Sequence, residues 1–513
     1  MTAIVQCIPI SAEPPGLHDN SADIDRLKRA VEEKTGTGRL VVPMAQVTTV
    51  SRRFRQAKFS GSAIVNEREG RLELVDLLSD LPDVLPAMAL DLGTTHLEAT
   101  LIDLFTGNRL AWANKENSQI SCGDDILSRI HYAGRADGLN DLHKKIIRTI
   151  NELAGELAKS AGVPVDQIRG LSVSGNPTMI HFFLNLDPYN ICREPYIPVI
   201  NAPDSFMAGE LGLLVSASAP VIILPSVGSY FGGDLISGIL SSGMDTGDQI
   251  SMLIDVGTNA EVVVGNKDWL IACAGAAGPA LEGGVASMGM RAGPGAIEHI
   301  CIDPSTKEVA YTTIADEPAR GICGSGIIDL VAELYLAQII DLRGKFRAGS
   351  APGRLYVAGD TPTYTVVAAE HCAGHKAVEI SQVDLDAMMR SKAAMYAILT
   401  TLLGQVGLSF SDLARIYVAG AFGRHIDPGK AVTLGMLPDL PLSTYEAIGN
   451  SSLAGAEQVL LHSSARERCQ MIMQKITYVE LNVNQEFMMR FSGSKFIPHT
   501  DSSLFPSVPV FGR

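Results

Sequence analysis

The sequence contains no cysteine motif of the kind that holds an iron–sulfur cluster. Its eight cysteines are scattered over 513 residues, and none falls in a Cys-x₂-Cys motif or in a ferredoxin-type run. We therefore expect them to be reduced thiols in a cytoplasmic protein, mostly as small core side chains, with no iron–sulfur cluster among them.

Long apolar segments and an excess of positive charge are also missing. No apolar run reaches about 18 residues, so no transmembrane helix is expected. The N-terminus does not show the basic segment followed by an apolar core that is typical of a secretory signal. The formal net charge of −15 argues against general binding to nucleic acid or to an anionic membrane surface.

The chain does contain enough apolar residues and glycines to build a large mixed fold. Hydrophobic residues make up 46% of the sequence, and 49 glycines interrupt them. A chain of this length can form two or three domains, each with its own core. We expect a globular, loop-rich α/β protein.

One stretch has the pattern of a phosphate-binding turn. An apolar run that ends at Asp91 indicates a strand, Gly93 indicates a tight turn, and Thr94 and Thr95 lead into a second strand and a hairpin. The carboxylate can hold hydrated Mg²⁺, because hard oxygen ligands suit that ion. The turn amides and the threonine hydroxyls can bind phosphate oxygens.

The same pattern occurs again about one domain length further along the chain. Asp255 ends an apolar strand, and Gly257, Thr258 and Asn259 lead into another hairpin. Repetition on this scale suggests two related lobes, each offering a phosphate-binding hairpin to one cleft. We therefore predict that Asp91 and Asp255 are catalytic and bind magnesium through water.

The paired motifs resemble the nucleotide-binding superfamily of actin, hexokinase and the heat-shock chaperones. This resemblance implies an α/β fold with a two-lobed, ribonuclease H-like ATPase domain, here preceded by a small α+β domain. It also implies that the cofactors are ATP and Mg²⁺, with both hairpins clamping the phosphates of one nucleotide.

Asp234 is a third candidate acid, located upstream of the second motif after two glycines. In sugar-kinase members of the superfamily, a Gly-Asp at a similar position supplies the general base. The resemblance implies that Asp234 orients or deprotonates the nucleophile that attacks the γ-phosphate. The alternative is that Asp234 only caps the helix that follows.

Other glycine-rich turns are candidates for nucleotide contact. Gly324 and Ser325 lead directly into a helix, where free amides and the helix dipole suit phosphate or ribose. Gly420 and Ala421 resemble the superfamily's adenosine motif, with a plain strand–helix turn as the alternative. Glu282 either binds metal-bound water or is a surface acid.

Turn and proline signals divide the chain into five parts. Within the first part, the run of β-branched residues at 47–50 predicts a strand. The basic side chains of Arg52, Arg53, Arg55 and Lys58 form either a solvated face or a docking patch for an acidic partner. The parts are a small α+β domain (1–80), a linker (81–86), a first lobe (87–217), a second lobe (218–491) and an extended tail (492–513).

A group of specific phrases resembles one branch of the superfamily, the reductive activators of corrinoid proteins, over about residues 87–491. The phrases are Asp91-Leu-Gly-Thr-Thr95, Gly123-Asp-Asp-Ile-Leu-Ser-Arg-Ile130, Gly175-Asn-Pro-Thr-Met179, Asp255-Val-Gly-Thr-Asn259, Ala277-Gly-Pro-Ala280, Gly289-Met-Arg-Ala292, Gly321-Ile-Cys-Gly-Ser-Gly326 and Ala419-Gly-Ala-Phe-Gly423. The resemblance implies ATP-driven reduction of a corrinoid protein from Co(II) to Co(I) during methyl transfer.

The sequence departs from that family in one important way, because such activators usually carry a [2Fe–2S] ferredoxin domain ahead of the small domain. We therefore expect an external low-potential electron donor, with a corrinoid protein as partner and a homodimer as one assembly. His96 and Ala260 are smaller departures that concern substrate placement.

Two other functions remain open at this stage. One is a small-molecule kinase of the same fold with Asp234 as base, and the other is a nucleotide-dependent partner-binding protein without redox chemistry. The loop from His371 to His375 contains two histidines and a cysteine. It could be a metal or cobalt site, although three ligands in one loop seldom close a site without a distant fourth.

Overall fold

The computed structural model describes residues 3–36, 39–68, 70–257, 260–275, 286–481 and 485–511, except for the side chains of residues 421, 422 and 424. Contacts divide the chain into two units. Unit 1 comprises Met1–Ser241 and Ser452–Gln474, and unit 2 comprises Ser242–Ser451 and Lys475–Arg513.

Strands and helices alternate along most of the described chain. The strands are β1 (Val5–Ser11), β2 (Leu40–Val41), β3 (Ser60–Arg68), β4 (Arg71–Leu78), β5 (Pro86–Leu92), β6 (His96–Asp103), β7 (Arg109–Glu116), β8 (Leu171–Gly175), β9 (Phe206–Met207), β10 (Pro220–Ile223), β11 (Ser251–Val256), β12 (Ala260–Gly265), β13 (Leu270–Gly275), β14 (Ala296–Ile302), β15 (Val309–Thr313), β16 (Gly321–Ile322), β17 (Leu355–Ala358), β18 (Thr361–Val367), β19 (Val378–Ser381), β20 (Arg415–Ala419), β21 (Tyr445–Gly449) and β22 (Ile476–Tyr478). The helices are α1 (Asp23–Thr35), α2 (Val47–Gln56), α3 (Ile126–Ala133), α4 (Gly138–Ala161), α5 (Pro177–Phe183), α6 (Gly233–Ser242), α7 (Gly324–Leu336), α8 (Gln382–Gln405), α9 (Gly420–His425), α10 (Pro428–Leu434), α11 (Ser451–Leu461), α12 (Ser463–Lys475) and α13 (Gln485–Gly493). Within the described ranges, no helix combines the length and the apolar character needed to cross a membrane.

The N-terminal part of unit 1 is a small α+β domain, as the sequence predicts. Its sheet has the order β1-β3-β4-β2. Apolar side chains of α1 and α2, among them Leu27, Val31 and Phe54, are buried with residues of this sheet in a core of their own. The domain therefore has its own hydrophobic core.

The prediction of a strand at residues 47–50 is wrong, because these residues begin α2. Val50 and Phe54 are one helical turn apart and are both buried, so tertiary packing overrides the strand preference of β-branched residues. On the outer side of α2, Arg53 pairs with Asp76 at 2.7 Å and Arg55 pairs with Asp23 at 2.6 Å. Two of the four basic side chains in the predicted cluster therefore form ion pairs within the domain.

The large sheet of unit 1 has the order β7-β6-β5-β8-β10-β9. β5, β6 and β7 form an antiparallel meander, and β8 and β10 continue the sheet in parallel with β5. The long helix α4 buries a stripe of apolar residues at three- and four-residue steps against this sheet. The members of the stripe are Leu142, Ile146, Ile150, Leu153 and Leu157.

The large sheet of unit 2 has the order β21-β20-β11-β12-β13-β22. β11, β12 and β13 again form an antiparallel meander, and β20 and β21 again lie parallel to its first strand. Five strands therefore follow the same order and directions in both units, which confirms the duplication inferred from the two motifs. Helix α8 packs in the core of unit 2 and begins with a capping box between Ser381 and Asp384.

The division between the two halves falls later than the sequence indicates. β10 lies in the sheet of unit 1, with Val221 opposite Leu171 of β8, so the expected start of the second lobe at residue 218 lies inside unit 1. Residues 452–474 also return to unit 1. Neither feature has a local signal, because parallel pairing joins segments that are far apart in the sequence.

The C-terminal segment differs from the expected extended tail. Ile497, Phe505 and Val508 are buried in the core of unit 2. The wholly buried Lys392 on α8 donates from Nζ to the carbonyl oxygens of Phe496 (2.6 Å) and Pro498 (2.7 Å). Burial lowers the pKa of Lys392 well below its usual value. The segment from Phe496 to Val508 therefore packs on the core of unit 2 instead of extending away from it.

We expect Gly455→Ala to destabilise unit 1 by about 1–3 kcal/mol, because an added Cβ overpacks a crossing of two helices. A Cβ on Gly455 of α11 would lie 2.5 Å from the Cα and 2.6 Å from the carbonyl oxygen of Ser237 on α6. The measurement is the midpoint of chemical or thermal unfolding.

The matched control is Gly155→Ala on the exposed side of α4, where a Cβ meets nothing within 4 Å. This change should stabilise the protein by about 0.4–1 kcal/mol, because it lowers the entropy of the unfolded chain. Equal unfolding midpoints for the two variants would contradict the helix crossing.

Candidate functional site

The first candidate site lies in unit 1, at the turn between β5 and β6. A Cβ on Gly93 would lie 2.2 Å from the carbonyl oxygen of His96, so only glycine fits this turn. Two asparagine side chains hold the turn. Asn117 donates from Nδ2 to the carbonyl oxygen of Gly93 (3.0 Å), and Asn176 donates from Nδ2 to Oγ1 of Thr94 (3.0 Å).

A packed layer supports this turn from inside unit 1. The backbone N–H of the buried Asn117 donates to the carbonyl oxygen of Thr95 (2.9 Å). The Nδ2 of Asn117 and Nη1 of Arg129 both contact the sulfur of Met179, at 3.9 and 3.6 Å. Arg129 is wholly buried and donates to the carbonyl oxygen of Gly123, and burial lowers its pKa to about 10. The turn is therefore rigidly supported.

Asp91 lies at the end of β5 beside a row of buried hydroxyl groups. Ser452 Oγ, at the start of α11, is 2.7 Å from Asp91 Oδ1 and 2.9 Å from Ser174 Oγ. Ser174 Oγ is in turn 2.9 Å from Ser237 Oγ on α6. The serines are at most 6% exposed. One oxygen of the Asp91 carboxylate is thus fixed by a side chain from a distant part of the sequence.

Asp234 lies in the first turn of α6, close to the same end of the unit 1 sheet. Its Oδ1 accepts a hydrogen bond from the backbone N–H of Leu235 (2.9 Å). A Cβ on Gly232 would lie 2.5 Å from both Asp234 Oδ1 and the Cα of Asn176, which also contacts Thr94. Unit 1 thus brings Asp91, Thr94 and Asp234 to one group of turns. A bond to the adjacent N–H is not the usual capping bond to the second or third residue of a helix.

The second candidate site lies in unit 2, at the end of β11. Gly420 has a φ of +77°, and a Cβ on it would lie 3.0 Å from Asp255 Oδ1 and 3.2 Å from the carbonyl oxygen of Val256. The turn after β20 therefore packs directly against Asp255. Gly257 continues the motif, while Thr258, Asn259, Glu282 and the side chain of Ala421 lie outside the described residues.

The two sites share one rule of strand register. Asp91 lies opposite Ser174 in the parallel pair β5–β8, and Asp255 lies opposite Ala419 in the parallel pair β11–β20. In each pair the residue that follows the aspartate's partner is a glycine that approaches the aspartate strand closely. For Gly175 the atom met by a Cβ is the carbonyl oxygen of Leu92 at 2.9 Å. Each unit thus places a glycine turn next to its aspartate.

Gly324 and Ser325 form the first turn of α7 in unit 2, as predicted. Ser325 Oγ lies 3.3 Å from the carbonyl oxygen of Glu298 and 3.3 Å from the sulfur of Cys323. A Cβ on Gly326 would lie 2.3 Å from the carbonyl oxygen of Ile297. Close packing on β14 is therefore one reason for glycine here. Cys323, at the N-cap position, makes no side-chain bond to the helix amides.

The donor groups of unit 1 fit a hydrated magnesium ion that is bound with a nucleotide. No three His, Cys, Asp or Glu side chains of the described residues come close enough to hold a metal by themselves. Magnesium seldom needs such a cage, since it keeps several waters and uses one or two carboxylates together with substrate phosphates.

The other candidate metal site is the loop His371–His375. There the thiol of Cys372 lies 3.3 Å from the carbonyl oxygen of Ala368.

Several residues of these sites were missed at the level of sequence. Asn117, Ser174, Ser237 and Ser452 carry no motif, and Ser452 is 361 residues from Asp91. Asn176 had a usable signal, because an asparagine followed by proline is a strong helix start, and its side chain does accept the N–H of Met179.

Three family models, taken together, match almost the whole chain. The family model for the C-terminal domain of RACo, the ASKHA domain, matches residues 249–509. The model for the RACo middle region matches residues 86–247, and the model for the RACo linker region matches residues 1–85. The matched boundaries at residues 85/86 and 247/249 agree closely with the start of β5 and the start of β11.

Individual proteins of this kind are similar over most of the chain. The corrinoid activation enzyme RamQ of Eubacterium limosum is 33% identical over 78% of this chain and 68% of its own. The [Co(II) methylated amine-specific corrinoid protein] reductase of Methanosarcina barkeri is 26% identical over 76% of this chain and 72% of its own. A solved structure of a reductive activator for corrinoid, iron–sulfur protein has a TM-score of 0.90 and 37% identity, covering 99% of this chain and 81% of its own.

We expect Gly420→Ala to weaken binding of an adenine nucleotide about tenfold, which corresponds to about 1.4 kcal/mol. The added Cβ would push against Asp255 and would also be strained at positive φ. Titration with a fluorescent ATP analogue measures the effect.

Gly407→Ala is the matched control, since Gly407 also has a positive φ (+67°) but a Cβ there meets nothing within 4 Å. It should lose stability to the same backbone strain and keep its nucleotide affinity. Unchanged affinity in Gly420→Ala would contradict a nucleotide site at this turn.

Proposed function

The chain belongs to the RACo family, and on that premise we propose that it is an ATP-dependent enzyme that returns a corrinoid protein from Co(II) to Co(I). One electron reduces the cobalt, while ATP is hydrolysed to ADP and phosphate. The partner is a corrinoid protein of methyl transfer in the cytoplasm. A separate low-potential redox protein supplies the electron, because no cysteine pair in this sequence has cluster-binding spacing.

The need for ATP follows from the direction of electron flow. Moving one electron uphill by about 59 mV costs about 1.4 kcal/mol, so a gap of a few hundred millivolts costs several kcal/mol. A nucleotide-driven change of conformation can offset part of this cost if it favours a complex in which the ligands of the cobalt are altered. The protein thus couples a phosphate reaction to a redox step on its partner.

In this proposal the two aspartate hairpins bind the same nucleotide. Asp91 and Asp255 would hold magnesium through water, and the turns at Gly93 and Gly257 contact the phosphates. When bound, magnesium would neutralise the phosphate charge that develops during transfer. Asp234 holds and accepts a proton from the attacking water.

The remaining contacts of the proposed site are to the phosphates and the nucleoside. Thr94, Thr95, Thr258 and Asn259 extend the phosphate contacts of the two hairpins. Gly324 and Ser325 approach the phosphate or ribose through the first turn of α7, and Gly420 and Ala421 lie against the nucleoside.

One observation carries the proposal. Both units place an aspartate at the end of the first strand of an antiparallel meander, beside a glycine at the end of the parallel neighbouring strand or directly after it. Such duplication is what a two-sided phosphate clamp requires, because each half must offer a carboxylate and close backbone. The similarity to RamQ over most of the chain supports corrinoid activation as the function of this clamp.

We expect the purified protein with ATP, Mg²⁺ and a low-potential reductant to regenerate Co(I) on a cognate corrinoid protein. The measurement is the absorption spectrum of the corrinoid, followed with and without ATP. ATP turnover with cobalt left as Co(II) across candidate corrinoid proteins would contradict the function. Transfer of phosphate to a small alcohol or acid would instead favour a kinase of the same fold.

We expect Asp234→Asn to slow ATP hydrolysis about 10²-fold or more, in the usual range for a general acid–base group. Its matched control is Asp427→Asn, because Asp427 caps α10 through the N–H groups of Gly429 and Lys430, and asparagine caps equally well. Phosphate release at saturating ATP measures both variants. An unchanged rate in Asp234→Asn would leave Asp234 with a structural role only.

A further inference from the structure

The row of buried serine hydroxyls in unit 1 has no part in the function proposed so far. Ser237, Ser174 and Ser452 lie on α6, β8 and α11. The Oγ atom of Ser174 is 2.9 Å from Oγ of Ser237 and also 2.9 Å from Oγ of Ser452. The row ends at Asp91 Oδ1, 2.7 Å from Ser452 Oγ. We propose that Ser452 is a positioning residue that fixes the Asp91 carboxylate for the magnesium-bound nucleotide, an inference that rests on the proposed function.

Charge and proton count give this contact a direction. An ionised carboxylate can only accept hydrogen bonds, and a serine hydroxyl carries one proton. The proton of Ser452 is therefore committed to Asp91, in a bond to a charged acceptor that is stronger than one between neutral groups. Because Ser452 is only 6% exposed, water does not readily replace it. The rotation of the carboxylate about its side-chain bonds is thus restricted from one side.

Capping of α11 does not explain Ser452. The helix begins at Ser451, so Ser452 is already inside it, where a serine usually bonds back to the helix or faces solvent. Here its hydroxyl instead contacts the end of β5, 361 residues away in the chain. Because the Ser452 hydroxyl bonds to a carboxylate at the end of a strand and not to its own helix, its position is suited to orienting that carboxylate.

Other contacts hold α11 against the sheet without help from Ser452. Ser172 Oγ on β8 donates to the carbonyl oxygen of Ala456 (2.6 Å). Glu457 accepts from Thr100 Oγ1 (2.7 Å) and from Arg109 Nη2 (2.7 Å). Removal of the Ser452 hydroxyl should therefore leave the helix in position and change mainly the freedom of Asp91. Ser172 supplies a matched control, since it also bonds to α11 from β8 but does not contact Asp91.

The test is the Mg²⁺ dependence of nucleotide binding by the full chain, measured with the fluorescent analogue TNP-ATP. Groups that orient a metal-binding carboxylate typically change metal affinity by about 10–100-fold when they are removed. We expect Ser452→Ala to need about tenfold more Mg²⁺ for half-maximal effect and to bind the analogue normally without Mg²⁺. Ser452→Thr, which keeps the hydroxyl, should restore the Mg²⁺ requirement, and Ser172→Ala should match wild type.

Two comparisons decide the result. If Asp91→Asn changes the Mg²⁺ requirement and Ser452→Ala does not, the positioning role is overturned and the proposed function stands. If Asp91→Asn itself has no effect, the magnesium role of Asp91 in the proposed function fails. Should Ser452→Ala not fold, Ser452→Cys keeps nearly the same volume with only a weak donor. A wild-type Mg²⁺ requirement in Ser452→Cys would then overturn the inference.

Discussion

The register between two parallel strands is the constraint on which both candidate sites depend. In each unit the residue opposite the aspartate on the parallel neighbouring strand is followed by a glycine, and a Cβ on that glycine would lie only 2.9 Å (Gly175) or 3.0 Å (Gly420) from an atom of the aspartate strand. A slip of one residue would turn every side chain of the strand to the opposite face of the sheet. The position of each carboxylate is therefore set by backbone pairing before any ligand is considered.

Side chains and backbone both contribute contacts to the described parts of the two aspartate hairpins. In unit 1, side chains do much of the holding, because asparagines fix the turn and a serine fixes Asp91. In unit 2, the backbone of Gly420 packs directly against Asp255. Side-chain support can be removed one group at a time, whereas backbone packing changes only with the glycine itself.

The sequence predicted the parts of the fold that have local or repeated patterns. The two hairpins and the duplicated lobes follow from apolar runs and turn residues. Local preference predicts a strand at residues 47–50, whereas burial of Val50 and Phe54 on one face makes this segment a helix. The membership of β10 and the support of Asp91 by Ser452 join segments far apart in the chain, and no local pattern records such pairings.

The buried amino group of Lys392 makes the folding of unit 2 depend on the C-terminal segment. Its acceptors at Phe496 and Pro498 follow more than one hundred residues later in the chain. During synthesis on a ribosome, the lysine of α8 emerges long before these carbonyls exist, and burial without them would leave its amino group with only the more distant carbonyl oxygen of Gly435 (3.5 Å) as an acceptor. The core around α8 therefore closes only late in translation, and nascent chains shorter than this point should keep unit 2 open to chaperones.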